Sequence, residues 1–277
     1  MKKNERAAAI VRTIVVSFIA VLFVVPLVWM VLSSLKTAPE VFARPFHWLP
    51  ARVQWQNYAT VWMNEEASML RAFANTLYIA LFSIIGQMFI SSLAAYSFAK
   101  INFKGKQVVF MLFLSSMMVP SQLTIIPRFM LFKTIGLYNN LWAIILPAFF
   151  GATSIFMLRQ FYMGLPNDLI EAAKIDGAGH LRIFLRIMLP LTKAALMSLI
   201  ILAFISSWNE YMAPLIFLVK KELYTVSQNI QWYMLDEFKE HNLTMAAATS
   251  AIVPVVILFI VGQKYFVEGI ATSGVKG

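Results

Sequence analysis

The chain has 277 residues, of which 60% are apolar and 13% charged, and its net charge is +10. A soluble domain is about half apolar and about a quarter charged, so this composition excludes an ordinary water-soluble globule and predicts a membrane protein. Cysteine is absent, which excludes disulfides, thiolate metal sites, Fe–S clusters and a cysteine nucleophile.

Six segments are apolar and long enough to cross a bilayer, since a helix needs about 20 apolar residues to span about 30 Å of hydrocarbon. Five contain no Lys, Arg, Asp or Glu, and the other contains only Glu210. Each charge at a span centre costs about 2.5–3.5 kcal/mol on an insertion scale. We therefore expect an all-α membrane protein with six transmembrane helices, at residues 13–35, 72–99, 107–127, 134–158, 194–219 and 242–263.

The first segment follows a basic cluster and has two interpretations, a cleaved signal peptide or a retained anchor. A signal peptide has an apolar stretch of about 7–15 residues before its cleavage site. Segment 13–35 is longer, which favours a retained signal anchor.

The distribution of basic residues predicts the orientation. An amino terminus inside the cell places fourteen of the 23 basic residues in cytoplasmic segments and nine in longer outer loops. The positive-inside rule then predicts that both termini are cytoplasmic, in a bacterial-type inner membrane and in contact with its lipid. No helix has a basic face of the kind that binds phosphate, so no nucleic-acid partner is expected. The fourteen residues are Lys2, Lys3, Arg6, Arg12, Lys100, Lys104, Lys106, Arg159, Lys174, Arg182, Arg186, Lys193, Lys264 and Lys276.

Two domains are predicted, an amino-terminal anchor helix with an outer loop over residues 1–71 and a core domain over 72–277. The outer loop contains three tryptophans and Tyr58. These side chains favour the membrane–water interface, and a short interfacial helix is expected around residues 56–62. A second outer loop, 220–241, is a candidate contact for an extracytoplasmic protein or simply a solvated loop.

The connection between the fourth and fifth segments predicts a short helix over about residues 166–178. Pro166 suits the first helical position, Asp168 and Glu171 favour the positive end of the helix dipole, and Gly177 suits a left-handed residue just past the end.

One face of this helix is expected to be narrow. Leu169, Ala172, Ala173 and Asp176 recur at three- and four-residue spacing. The two alanines allow another protein to approach closely. Alternatively, the segment is an ordinary amphipathic helix of a cytoplasmic loop.

The same segment resembles a family signature. Glu171-Ala172-Ala173, then Gly177, and nine residues later Ile187-Met188-Leu189-Pro190 match E-A-A-x-x-x-G-x9-I-x-L-P. This signature is typical of the membrane subunits of binding-protein-dependent ABC importers. The resemblance implies a MetI-like permease fold whose cytoplasmic coupling helix docks on a separate ATPase. The residues implied in coupling are Glu171, Ala172, Ala173, Asp176, Gly177, Ile187 and Pro190.

Further blocks from Asn75 to the carboxyl-terminal tail 263–277 resemble the smaller, six-span permease of maltose-type systems. This implies transport of a mono- or oligosaccharide. It also implies three kinds of partner: a second permease subunit in a heterodimer, an ABC ATPase dimer and an extracytoplasmic solute-binding protein. A non-sugar solute such as glycerol phosphate fits the same architecture.

An ATPase site is not expected in this chain, because it has no G-x-x-x-x-G-K-[ST] phosphate loop. ATP and Mg are expected on the partner ATPase, no cofactor is expected here, and the chain is not expected to be an enzyme. His47, His180 and His241 are too scattered to predict a metal site.

Glu210 is the acidic residue of the fifth segment. Intramembrane carboxylates usually face a cavity or a partner, so Glu210 is a candidate gate or solute contact near the outer mouth. Alternatively, it lies at a helix end and reaches interfacial water. The neighbouring Trp208, Asn209 and Tyr211 suit sugar stacking and hydrogen bonding, or interface packing. An ion-driven secondary transporter is the competing function, but it would need midplane carboxylates and usually repeated halves.

Overall fold

The computed structural model describes residues 2–235 and 240–274, and it describes side chains only within 6–263. Within these ranges all regular elements are helical. The α-helices are α1 Lys2–Ser34, α2 Ala38–Val41, α3 Gln56–Met63, α4 Met69–Lys100, α5 Lys106–Ser116, α6 Ile125–Thr134, α7 Trp142–Ala148, α8 Ala152–Met163, α9 Asp168–Ile175, α10 His180–Ile183, α11 Leu189–Leu191, α12 Lys193–Trp208, α13 Met212–Phe217, α14 Val226–Leu235 and α15 His241–Gly274.

Four continuous helical segments are long and apolar enough to cross a membrane: Ala8–Ser34, Met69–Lys100, Trp142–Met163 and His241–Gln263. Two further pairs qualify only together. Lys106–Ser116 with Ser121–Thr134 is bent by 90°, and His180–Leu191 with Lys193–Trp208 is bent by 76°. The count reaches the six predicted spans when each bent pair is taken as one.

Proline explains the first bend. Pro120 cannot donate a backbone hydrogen bond and disfavours helical geometry in the residue before it. Helix α5 accordingly ends at Ser116, and the chain resumes as a 3-10 turn at Ser121–Thr124. The span predicted over residues 107–127 therefore contains a 90° bend that the apolar pattern did not predict.

The chain divides into two compact units, Met1–Leu70 with Asn229–Val253 and Arg71–Gln228 with Pro254–Gly277. In the first unit, helix α3 confirms the helix predicted around residues 56–62. Its buried Asn57 donates through Nδ2 to the carbonyls of Ser34 and Lys36, each at 2.8 Å. Asn57 Oδ1 accepts from Asn242 Nδ2 at 3.0 Å, so the buried amide is fully used within this unit.

Two apolar clusters among the described residues of the second unit include α4. Ile79 belongs to one cluster, with α6, α7 and α13, while Tyr96 belongs to the other, with α8, α9 and α12. Since a helix rises about 1.5 Å per residue, Ile79 and Tyr96 are about 25 Å apart along α4. The coupling-helix candidate packs against the second cluster.

Some predictions fall outside the described residues. They are the cytoplasmic position of Lys276, the outer-loop segment 236–239 and the end of the tail, residues 275–277. The division at residue 71 and the orientation of the termini stay predictions.

Candidate functional site

The coupling-helix candidate is α9, and it begins slightly later than predicted. Asn167 is the N-cap, and its carbonyl accepts from the backbone N–H groups of Ile170 at 2.8 Å and Glu171 at 3.1 Å. Pro166 therefore precedes the cap instead of occupying the first helical position, so that detail of the prediction is wrong. Asp168 and Glu171 do lie in the first turn, where the helix dipole favours them.

The carboxyl end of α9 confirms the conformation predicted for Gly177. Its φ is +78°, in the left-handed region. The Ala178 N–H donates to Ala173 O at 2.9 Å, and the Gly177 N–H donates to Lys174 O at 3.0 Å. These two bonds form a Schellman motif, which needs a left-handed residue at this position and fixes the direction of the chain after the helix.

The exposed face of α9 differs from the predicted one. Ile170 and Ala173 are buried in the second cluster of the bundle. Because consecutive residues are about 100° apart around a helix, the opposite face contains Glu171, Ala172 and Ile175. Ile175 is 86% exposed. Ala173 thus attaches the helix to its own bundle, and Ala172 remains available to another protein.

Two contacts that sequence patterns did not predict attach this loop to α4. Lys100 Nζ donates to Leu165 O and to Asn167 Oδ1, both at 2.7 Å. One turn earlier, the Tyr96 hydroxyl and His180 Nδ1 are 3.1 Å apart. The last turn of α4 therefore contacts the chain on both sides of α9.

The second half of the signature forms a bent connection into α12. Residues Phe184–Met188 are π-helical, and Pro190 follows two residues later. A proline cannot donate to the carbonyl four residues earlier and its ring crowds that carbonyl, which accounts for the irregular turn. The Thr192 hydroxyl is paired within the same turn, because it donates to Met188 O at 3.1 Å and to Leu189 O at 3.0 Å. Ile187 is half-buried, while Pro190 is exposed.

The four predicted pathway residues lie at the end of α12 and in the short break before α13. Trp208 is buried, stacked on Phe204 at 5.4 Å between ring centroids and edge-on to Phe73 at 5.3 Å. This arrangement favours packing over sugar stacking. Asn209 is exposed, and its Nδ2 donates to Ile205 O at 2.8 Å.

Glu210 and Tyr211 form the break itself. Glu210 Oε1 accepts from the Ala213 N–H at 3.0 Å, so the carboxylate caps α13. Tyr211 is half-buried at the start of that helix. Of the four residues, Glu210 alone lines a cavity described for this part of the chain. Among the described residues, no group of three or more His, Cys, Asp or Glu side chains is placed to bind a metal ion.

Residues 87–272 match the family described as "Binding-protein-dependent transport system inner membrane component". The arabinooligosaccharides transport system permease protein AraQ of Bacillus subtilis is 33% identical over 97% of this chain and 96% of its own length. The melibiose/raffinose/stachyose import permease protein MelC of the same organism is 30% identical, covering 96% of each chain. The sn-glycerol-3-phosphate transport system permease protein UgpE of Yersinia pestis is 29% identical, covering 99% of each.

A solved structure shows the same fold. A chain from a bacterial ABC transporter involved in the import of the acidic polysaccharide alginate superposes with a TM-score of 0.84. The match covers 95% of this chain and 98% of the other, at 23% sequence identity. This chain therefore shares its overall fold with that chain.

Proposed function

Because this chain belongs to the family of binding-protein-dependent transport system inner membrane components, we propose that it forms half of the pathway through which an ATP-binding-cassette importer takes up a sugar. The observation that most supports a coupling role is α9, a short helix that contains the first part of the family signature and ends in a Schellman motif at Gly177. Relatives named for arabinooligosaccharides and for melibiose, raffinose and stachyose support a sugar as the solute.

In this proposal, α9 docks on a separate ATPase through Glu171, Ala172 and Ile175. A small alanine beside an exposed isoleucine offers a surface on which a partner can bury apolar area. ATP and Mg bind to that partner, and this chain supplies no ATPase site. An extracytoplasmic binding protein delivers the solute, and a second permease subunit, a different chain, completes the pathway.

Movement of the ATPase reaches the bundle through two attachments. Ile170 and Ala173 bury one face of α9 in the apolar core, and Lys100 bonds the chain before α9 to the end of α4. When ATP binding closes the ATPase dimer, the bundle shifts between its inward- and outward-facing states. The size of the shift is set by the difference between the affinities of the closed dimer for those two states.

A pair of glycines provides the test. Gly177 and Gly179 both have open space where a Cβ would be added, but only Gly177 has a positive φ. Gly177→Ala strains the chain by about 1–2 kcal/mol and misdirects the coupling helix. We expect Gly177→Ala and Glu171→Ala to abolish ATP hydrolysis stimulated by the loaded binding protein, with expression and membrane insertion intact. Gly179→Ala should couple normally. Normal coupling in both test variants would contradict the proposal.

A non-sugar solute is the second candidate, since the glycerol-3-phosphate permease UgpE aligns over 99% of both chains. The family membership decides against the ion-driven secondary transporter.

A further inference from the structure

Two basic side chains lie close together in the second unit, where α4 ends and α5 begins. Lys106 is the first residue of α5 and Arg159 belongs to α8, and their positive charges repel each other. Both side chains are half-buried. Lys104, two residues before Lys106, adds a third charge on an exposed side chain. Like charges that are held together raise the local positive potential, so this position attracts an anion.

Neutral groups fix the positions of both cations. Lys106 Nζ donates to Ile101 O at 2.9 Å, just past the end of α4. Arg159 Nε donates to Phe98 O at 3.3 Å, in the last turn of α4. The Arg159 guanidinium also lies 4.1 Å from the centroid of the Phe110 ring. The carboxyl end of a helix and an aromatic face carry only partial negative charge, so they offset only part of two full positive charges.

The guanidinium of Arg159 has donors to spare. A guanidinium has five N–H donors, and among the described residues only the Nε donor of Arg159 has a hydrogen-bond partner. Its two terminal nitrogens are not buried, so a ligand can reach them. Within the described ranges no carboxylate is paired with Arg159, Lys104 or Lys106. A phosphate group matches the planar fork of a guanidinium and would balance these charges.

The part of α5 that follows the cations has an exposed apolar surface. Four of its side chains are 48–67% exposed: Val108, Val109, Met111 and Leu112. They lie within about 9 Å of Lys106 along the helix axis. Since α5 is half of a candidate membrane span, this surface is suited to contact acyl chains. A phospholipid fits both parts, with its phosphate at the cations and its acyl chains along α5, whereas free phosphate would use only the first.

The side of the membrane also fits an anionic headgroup. Lys100, the last residue of α4, bonds the chain just before α9, so this end of α4 lies on the same side as the coupling loop. In the proposed importer that side is cytoplasmic, where the leaflet carries anionic lipids and basic pockets between helices bind their headgroups. The positive-inside rule accounts for basic residues here, but not for two cations half-buried against carbonyls and a ring.

We infer that this position is a binding site for an anionic phospholipid, with Arg159 and Lys106 contacting the headgroup phosphate and the exposed surface of α5 contacting the acyl chains. The site goes beyond the proposed importer function, and only its cytoplasmic location rests on that function. Because the two contact residues come from α8 and α5, a bound headgroup bridges these two helices.

Four substitutions separate lipid binding from folding. Arg159→Gln and Lys106→Gln remove the two contact charges, together with the bonds to the end of α4. Lys104→Gln removes an exposed charge that has no hydrogen bond among the described residues, so it tests the charge without disturbing the fold. Lys193→Gln is the matched control, because Lys193 is exposed and predicted to lie on the same side but belongs to α12.

The measurement is native mass spectrometry of the complete purified transporter, titrated with phosphatidylglycerol or with phosphatidylcholine of the same acyl chains. We expect the wild type to bind phosphatidylglycerol at least about tenfold more tightly than phosphatidylcholine, because each basic residue near an anionic lipid contributes roughly a factor of five. Affinity for phosphatidylglycerol should fall about fivefold in Arg159→Gln and in Lys106→Gln. It should fall about twofold in Lys104→Gln, whose exposed charge is screened by salt. Lys193→Gln should match the wild type.

Several outcomes would overturn the site. Equal affinity of the wild type for the two lipids would do so, as would an undiminished affinity for phosphatidylglycerol in the three site variants. If inorganic phosphate at matched ionic strength displaces the lipid, the position binds a free anion instead. If the variants lose the ATPase but retain phosphatidylglycerol, the charges dock a protein. Should Arg159→Gln and Lys106→Gln fail to assemble, the comparison of Lys104→Gln with Lys193→Gln decides. None of these outcomes bears on solute uptake, so the importer function stands or fails separately.

Discussion

The coupling loop and the cavity lined by Glu210 are built in opposite ways. The loop uses residues close together in sequence, from Asn167 to Pro190, and presents an apolar side chain outward on a well-bonded support. The cavity draws residues from Ser83 to Ala213, which are far apart in the sequence. The loop is suited to a constant protein surface, because its geometry is complete without a ligand. The cavity exists only because separate helices pack around it, so no short stretch of sequence specifies it.

The largest expected effect concerns Trp208, which was predicted as a pathway residue and lies at the end of α12 beside the cavity break. Since its ring is buried against Phe73 and Phe204, Trp208→Ala should destabilise the bundle by about 3–5 kcal/mol. Thermal aggregation of the purified complex would measure this loss. Asn209→Ala is the control, because Asn209 is exposed, and it should leave thermal stability nearly unchanged. A stable Trp208→Ala variant with altered sugar preference would return Trp208 to the solute path.

The next largest effect should come from the exposed face of the loop. Ile175→Asp places a charge where the ATPase is proposed to bury an apolar side chain, and a central interface residue commonly contributes about 2 kcal/mol or more. We expect copurification of the ATPase to fall by at least about tenfold. Ile175→Leu should retain it. Because Ile175 is 86% exposed in this chain, unchanged copurification would show that α9 docks through another face.

Substitution of Lys100 tests whether the coupling loop is rigidly attached to the end of α4. Lys100→Met removes the hydrogen bonds to Leu165 O and Asn167 Oδ1. A buried charge-assisted hydrogen bond contributes about 1.5–3 kcal/mol, and each of these contributes less because the ammonium group is partly exposed. We expect about tenfold weaker stimulation of ATP hydrolysis by the loaded binding protein, with unstimulated hydrolysis unchanged. Lys100→Arg should restore part of the stimulation. Equal loss of stimulated and unstimulated rates would point to a general folding defect.

The smallest effect is expected at Tyr96. Tyr96→Phe removes one hydroxyl that bonds His180 Nδ1 and leaves the ring packed against Tyr162 and Phe184. The expected loss is about 0.5–1.5 kcal/mol of attachment, measured as a modest fall in the same stimulated hydrolysis. His180→Ala should have the same effect, and the double variant should be no worse than either single variant if the two act as a pair. Additive losses would show that they act separately.

Local patterns predicted much of this protein. The apolar runs located every candidate span, because lipid requires uninterrupted helical hydrogen bonding over about 20 residues. The signature predicted α9 and the left-handed Gly177, since capping depends on residues only a few positions apart. The same local logic missed the bend at residues 117–120, where composition stays apolar but Pro120 interrupts the helical bonding.

Contacts between distant residues were decided only by the tertiary structure. The burial of Ala173, the packing of Trp208 and the attachment of Lys100 to Leu165 depend on which helices become neighbours, and a single helix pattern does not contain that information. The cavity depends on it entirely, since Ser83, Arg128 and Glu210 are far apart in sequence and line one cavity only because separate helices pack together. The sequence by itself determined the membrane class and the coupling motif, because both follow from periodicity and short spacing. The structure decided which polar side chains are left unpaired, because hydrogen-bond satisfaction is a property of the packed bundle.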